Sequence, residues 1–124
     1  MAERIRIDDL RAPVLTDDQR ALEQYLQQQP VDLSVDAVLA AARQQTGLDD
    51  FGPMDFTERL AVILAGVDTD PNRTALARTA IFGSTVTYAA NRLKVMDLLK
   101  RHPEIHDVQI TAPVIVVGLP RTGT

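Results

Sequence analysis

Cysteine is absent from this chain, so neither a disulfide nor a thiolate metal site is open to it. Tryptophan is absent too, and aromatics make up only 4% of the 124 residues, which leaves the core to Leu, Val, Ile and Ala. Cations are in the minority: 13 Lys and Arg against 17 Asp and Glu give a net charge of −4. That balance lacks the basic face with which proteins grip duplexes, and no nucleic-acid partner is expected. Long apolar runs are missing. Leu60–Gly66 and Ala112–Pro120 fall far short of the roughly 20 residues that span a bilayer, and Met1–Leu10 alternates charged and apolar residues without a signal core. These absences fit a cytoplasmic protein with no transmembrane segment. What is present, 45% apolar residues over one domain's length, suits a globular body.

Residues 1–16 read as an arm. Ile5, Ile7 and Leu10 suit a neighbouring surface, and Pro13 interrupts any continuous helix. Thr16 is an N-cap candidate, with Asp17 and Asp18 at the positive end of a helix that Pro30 ends. Ser34 starts a second helix, whose Val35, Val38, Leu39 and Ala42 recur at helical spacing and which Gly47 closes. A turn-rich connection follows, Leu48–Pro53, with Phe51 marked for burial. Asp55 and Glu58 have the spacing of a capping box for a third helix carrying Phe56, Leu60, Ile63, Leu64 and Val67. Pro71 suits the first position of the next helical stretch, which runs to about His102. Its middle, Gly83–Tyr88, is a weak helix former and predicts a kink or a split. Phe82 and Tyr88 are expected in the core. Pro103 ends the stretch, and Pro113 opens an apolar β-branched strand. The organisation is thus an arm (1–16), a helical subdomain (17–103), a linker (104–112), and a strand with its loop (113–124).

The most informative residues are Val114–Thr124, VIVVGLPRTGT. An apolar run empties into a loop bracketed by Gly118 and Gly123. Phosphate and sulfate oxygens concentrate negative charge; a loop that binds them turns its N–H groups inward, which glycine permits, and adds a cation. The spacing G-x-x-x-x-G is that of a Walker A loop, but Thr124 stands where the lysine belongs, and the loop's cation is Arg121. An anionic ester needing no bound metal fits this chemistry better than ATP hydrolysis. His102 and His106 read as solvated residues without metal partners. Asp49, Asp50 and Asp55 read as turn and cap residues. Arg73, Arg78, Arg92, Lys94, Lys100 and Arg101 read as a solvated face, with Arg92 or Arg101 held open as liners of an anion site.

The segment Gly118–Thr124 resembles the 5′-phosphosulfate-binding loop of sulfotransferases, with the match on Pro120, Arg121, Thr122, Gly123 and Thr124. Asp50–Leu60 (DFGPMDFTERL) and Asn91–Ile105 (NRL then HPEI) look like stretches of the bacterial branch that has a helical N-terminal region. The resemblance implies an α/β P-loop sulfotransferase fold in the full protein, of which this chain is a mostly α-helical front with one β-strand at its end. It implies PAPS (3′-phosphoadenylyl sulfate) as co-substrate, no metal, and a small-molecule acceptor, with a homodimer as a possible assembly. Arg121 takes the catalytic position on the leaving phosphate; Thr122 and Thr124 donate hydroxyls; N–H groups from Arg121 to Thr124 complete the cradle. Transfer is in line, from PAPS to an acceptor hydroxyl or amine, with the developing charge stabilised by these donors. The family's 3′-phosphate-binding residues and catalytic base normally follow the loop, so the chain alone is expected to be inactive. Two alternatives stand beside this reading: a P-loop nucleotide or small-molecule kinase fragment, and a free-standing helical interaction module.

Overall fold

The computed structural model describes residues 13–118. The arm's Ile5, Ile7 and Leu10 therefore lie outside the described residues. Four helices follow in order: α1 (Asp17–Gln28), α2 (Val35–Thr46), α3 (Phe56–Asp68) and α4 (Ala75–Arg101), then a 3-10 turn at Pro103–Asp107. Three of the four starts are capped by side chains whose backbone is extended. Thr16 accepts from the Gln19 N–H while Gln19 accepts from the Thr16 N–H, a complete capping box. Ser34 caps α2 through the Ala37 N–H, and Thr74 caps α4 through the Ala77 N–H. Gly47, left-handed at φ 69°, ends α2 and donates its N–H to the Arg43 carbonyl.

The start of α3 departs from the sequence expectation. Asp55 is already helical (φ −59°, ψ −23°) and makes no cap bond. An N-cap needs extended backbone to turn its side chain onto the N3 N–H, so the proposed Asp55–Glu58 box cannot close. The turn is tied one residue earlier: the Met54 carbonyl accepts from the Thr57 N–H (3.1 Å) and hydroxyl (2.7 Å). Pro71 likewise stays in the connecting turn, and Thr74 rather than Pro71 sets the start of α4.

The predicted break at Gly83–Tyr88 does not occur; α4 is one helix of 27 residues. Ser84, Thr85 and Thr87 donate their hydroxyls to the carbonyls four residues back, of Ala80, Ile81 and Gly83. That removes their competition for backbone groups outside the helix. Val86, Ala89, Ala90 and Leu93 from the same stretch are buried, and tertiary packing outweighs weak propensity. The core joins them to Val38, Leu39 and Ala42 of α2, Leu64 and Val67 of α3, and Leu33 and Phe51 from the connections. Alanines on both faces let α2 and α4 approach closely. Phe82 packs half-buried against this core, as expected, but Tyr88 is 73% exposed, which corrects its assignment to the core. α1 buries no residue.

The expected C-terminal strand does not form among the described residues, and the mostly helical body does not support the α/β fold expected of the full protein. The described residues are 65% helix and contain no strand. Residues 113–117 carry strand-type side chains, but a strand exists only through ladder bonds to a neighbour, and the described body offers helices and turns alone.

Candidate functional site

The residues that carry the phosphosulfate reading, Pro120, Arg121, Thr122, Gly123 and Thr124, lie outside the described residues. Their approach is described up to Gly118. After a bend at Thr111–Ala112 the chain is irregular and exposed: Val114 is 91% and Val117 84% accessible. The helical body does not cover this run, although its residue types are those of a core.

Arg92, held open as an anion-site residue, is engaged internally. Its Nε and Nη2 donate to the carbonyls of Phe51 and Pro53, both at 2.7 Å, and its guanidinium lies 4.5 Å from the centroid of the Phe56 ring. One side chain on α4 thus clamps the connection between α2 and α3. Lys100 pairs with Asp50 in the same connection, and Asp50 also accepts from the Gly52 N–H. The lysine first, then that N–H, holds the Asp50 carboxyl below its ordinary range. Gly52 has φ 69°, and a Cβ there would stand 2.6 Å from Met96 Cε, so α4 packs directly on the turn. The stretches Asp50–Leu60 and Asn91–Ile105 therefore form one physical unit. Substituting Arg92→Ala should cost about 2–3 kcal/mol, from two charge-assisted bonds and a cation–π contact. Arg92→Lys should not restore it, since a compact ammonium cannot bridge two carbonyls as the planar fork does. Urea denaturation measures both; a wild-type midpoint for Arg92→Ala would disprove the clamp.

Arg101 pairs with Asp97 one turn back, and both its geometry and its exposure match a solvated face. His102 Nδ1 lies 3.0 Å from Glu104, at the exposed end of α4. His106 is exposed. Among the described residues no three His, Cys, Asp or Glu side chains gather as metal ligands.

A cavity of about 530 Å³ opens where α1 meets the start of α4, with Glu23, Arg73, Thr74, Arg78 and Thr79 among its walls. Its charged side chains are already engaged within the fold. Glu23 reaches from α1 to accept from the N–H groups of Ala75 (2.7 Å) and Leu76 (3.1 Å). With Thr74 on Ala77, the first three N–H groups of α4 are satisfied. Arg78 binds the Asp68 carboxylate and the carbonyls of Asp68 and Asp70, closing the α3–α4 turn. Sequence reading missed Glu23, because its bonds span 52 and 53 residues and leave no local pattern.

The Ala75 N–H is the main cause of a lowered Glu23 pKa; desolvation opposes it and the Leu76 N–H adds to it. A depressed carboxyl stabilises the fold above its ordinary value of about 4.3 and loses that contribution as pH falls through the folded value. Glu23→Gln should therefore lower stability at neutral pH by about 1 kcal/mol, the usual worth of a helix cap, and the difference from wild type should vanish in acid. Asp50 and Asp70 shift in the same direction, so the variant-minus-wild-type curve is the relevant one. Thermal melts across pH 3–7 supply it; parallel curves would remove Glu23 from the account.

A second groove, of about 510 Å³, runs between α3 and α4 and is mainly apolar, with Phe56, Leu60, Ile63, Tyr88 and Ala89 among its walls. No helix among the described residues is long and apolar enough to cross a membrane. No protein-family model matches the chain, and no curated protein or solved structure is significantly similar to it.

Proposed function

We propose that this chain supplies the phosphosulfate-binding turn of a PAPS-dependent sulfotransferase. The observation that carries the reading is the residue order Gly118-Leu-Pro-Arg-Thr-Gly-Thr124, directly after the run Val114–Val117. Two glycines free the backbone for an inward-facing N–H cradle, Arg121 brings the cation, and Thr122 and Thr124 bring hydroxyl donors. Such a set stabilises negative charge gathering on a leaving phosphate while the sulfonyl group moves in line to an acceptor hydroxyl or amine. The exposure of residues 113–118 supports it, since the approach to the turn is not packed into the helical body. The contact between Asp50–Leu60 and the Arg92 region supports it as well, because both family-like helical stretches meet in one unit. The proposed acceptor is a small molecule, and the cytoplasm is the proposed compartment.

The test is transfer of radiolabelled sulfur from PAPS to an acceptor pool by the natural-length polypeptide that carries this chain. It is run beside a titration with 3′,5′-adenosine bisphosphate. Neither transfer nor saturable binding of the bisphosphate would end the proposal.

A further inference from the structure

The outer face of α3 is apolar where a surface helix should be polar. From Leu60 to Val67 the helix holds no charged or polar side chain, yet only Leu64 and Val67 are buried. Val62 is 74% and Ile63 59% exposed, and Tyr88 of α4 continues the same surface across the groove. A helix apolar all round belongs in an interior.

We infer that its partner is a second copy of the same chain, with α3 packed antiparallel on the partner's α3 about a two-fold axis between residues 62 and 63. Arg59, Val62, Ile63 and Gly66 fall at i, i+3, i+4 and i+7, one stripe of the helix. About that axis Val62 meets the partner's Val62, Ile63 meets the partner's Ile63, and Arg59 lies over the partner's Gly66.

Two independent features fit this arrangement. The first is charge. Arg59 sits in the first turn of α3, the wrong end for a cation in its own helix dipole, with only a 3.5 Å pairing to exposed Asp55. The last turn of α3 carries Asp68 and no cation of its own. Arg78 of α4 serves Asp68 from one side. Antiparallel pairing brings the partner's Arg59 to the same negative end from the other, and does so twice. The second is Gly66. Glycine inside a helix costs about 1 kcal/mol relative to alanine, and nothing outside its own helix lies within 4 Å of where a Cβ on Gly66 would stand. The single chain gives no reason for that cost. Close approach of a second backbone, with room for the stem of the partner's Arg59, does. This association is independent of the sulfotransferase reading.

Sedimentation equilibrium of the whole chain at about 100 μM, with a dilution series below it, tests the inference. A dimer that dissociates on dilution is expected. Val62→Glu places a charge at the axis and should raise the dimer dissociation constant at least about a hundredfold while the helical circular dichroism signal stays intact. Gly66→Leu should move two quantities in opposite directions: a higher monomer melting temperature, from helix propensity without a clash, and a lost dimer. Because the chain has no cysteine, Val62→Cys should cross-link to itself on oxidation, whereas Ser84→Cys on α4 should not. A wild-type monomer throughout, which would give the face to a different protein, overturns the inference. So does a dimer indifferent to both Val62→Glu and Gly66→Leu.

Discussion

Phe51→Ala is expected to remove about 3–5 kcal/mol of folding stability, the cost of truncating a fully enclosed phenylalanine when its surroundings cannot collapse into the void. Phe51 is 2% exposed although it lies in a turn-rich connection. Its ring stands 6.2 Å from that of Phe56 at a 46° tilt, and Arg43 of α2 lies 5.1 Å over its centroid. Its own carbonyl is one of the two that Arg92 holds. The side chain therefore fills the space between α2, α3 and α4, and its backbone is anchored to α4, so the walls have little freedom to close. A small domain is stable by only about 5–15 kcal/mol, which makes this a large fraction of the whole. Urea unfolding followed at a helix wavelength should show a lower midpoint with an unchanged slope. A loss below about 1 kcal/mol would mean that the connection is not part of the core.

For the proposed activity, Arg121→Ala should lower sulfonyl transfer by about 10²–10³-fold, the typical loss on deleting one preorganised donor to developing charge. Arg121 is the cation of the loop, so no neighbour there can replace it. Arg121→Lys should recover a substantial part, because a point charge can serve one leaving oxygen even without the bidentate fork. The loss should fall on kcat more than on KM, since the interaction strengthens as the phosphate departs. Unchanged transfer by Arg121→Ala would remove Arg121 from the mechanism, and an equal change in melting temperature would mark it as structural.

Helix signals written in adjacent residues were readable. Thr16, Ser34, Gly47 and Pro30 act within a turn of their own positions, and the structure uses each where the spacing predicts. Asp55 misled because its spacing to Glu58 satisfies the pattern while its backbone, drawn into the Met54–Thr57 turn, does not adopt the required conformation. Tyr88 misled because its place on α4 puts it on the groove wall, and the apolar stripe did not say which side of a long helix faces α2.

The proposed site rests on the residue chemistry of Gly118–Thr124 alone. Arg92 was weighed as an anion ligand because its charge is visible in sequence, whereas the two carbonyls it serves lie 41 and 39 residues away. Glu23 gave no signal at all for the same reason.

Local steric and capping rules were enough to set the ends of α1 and α2, because each acts through bonds only a few residues long. Assembly settled the rest. Whether α4 bends, which charges serve the fold, and whether Pro113–Val117 pairs as a strand all depend on what stands opposite. In a chain this size, free energies of that kind come from groups brought together across dozens of residues.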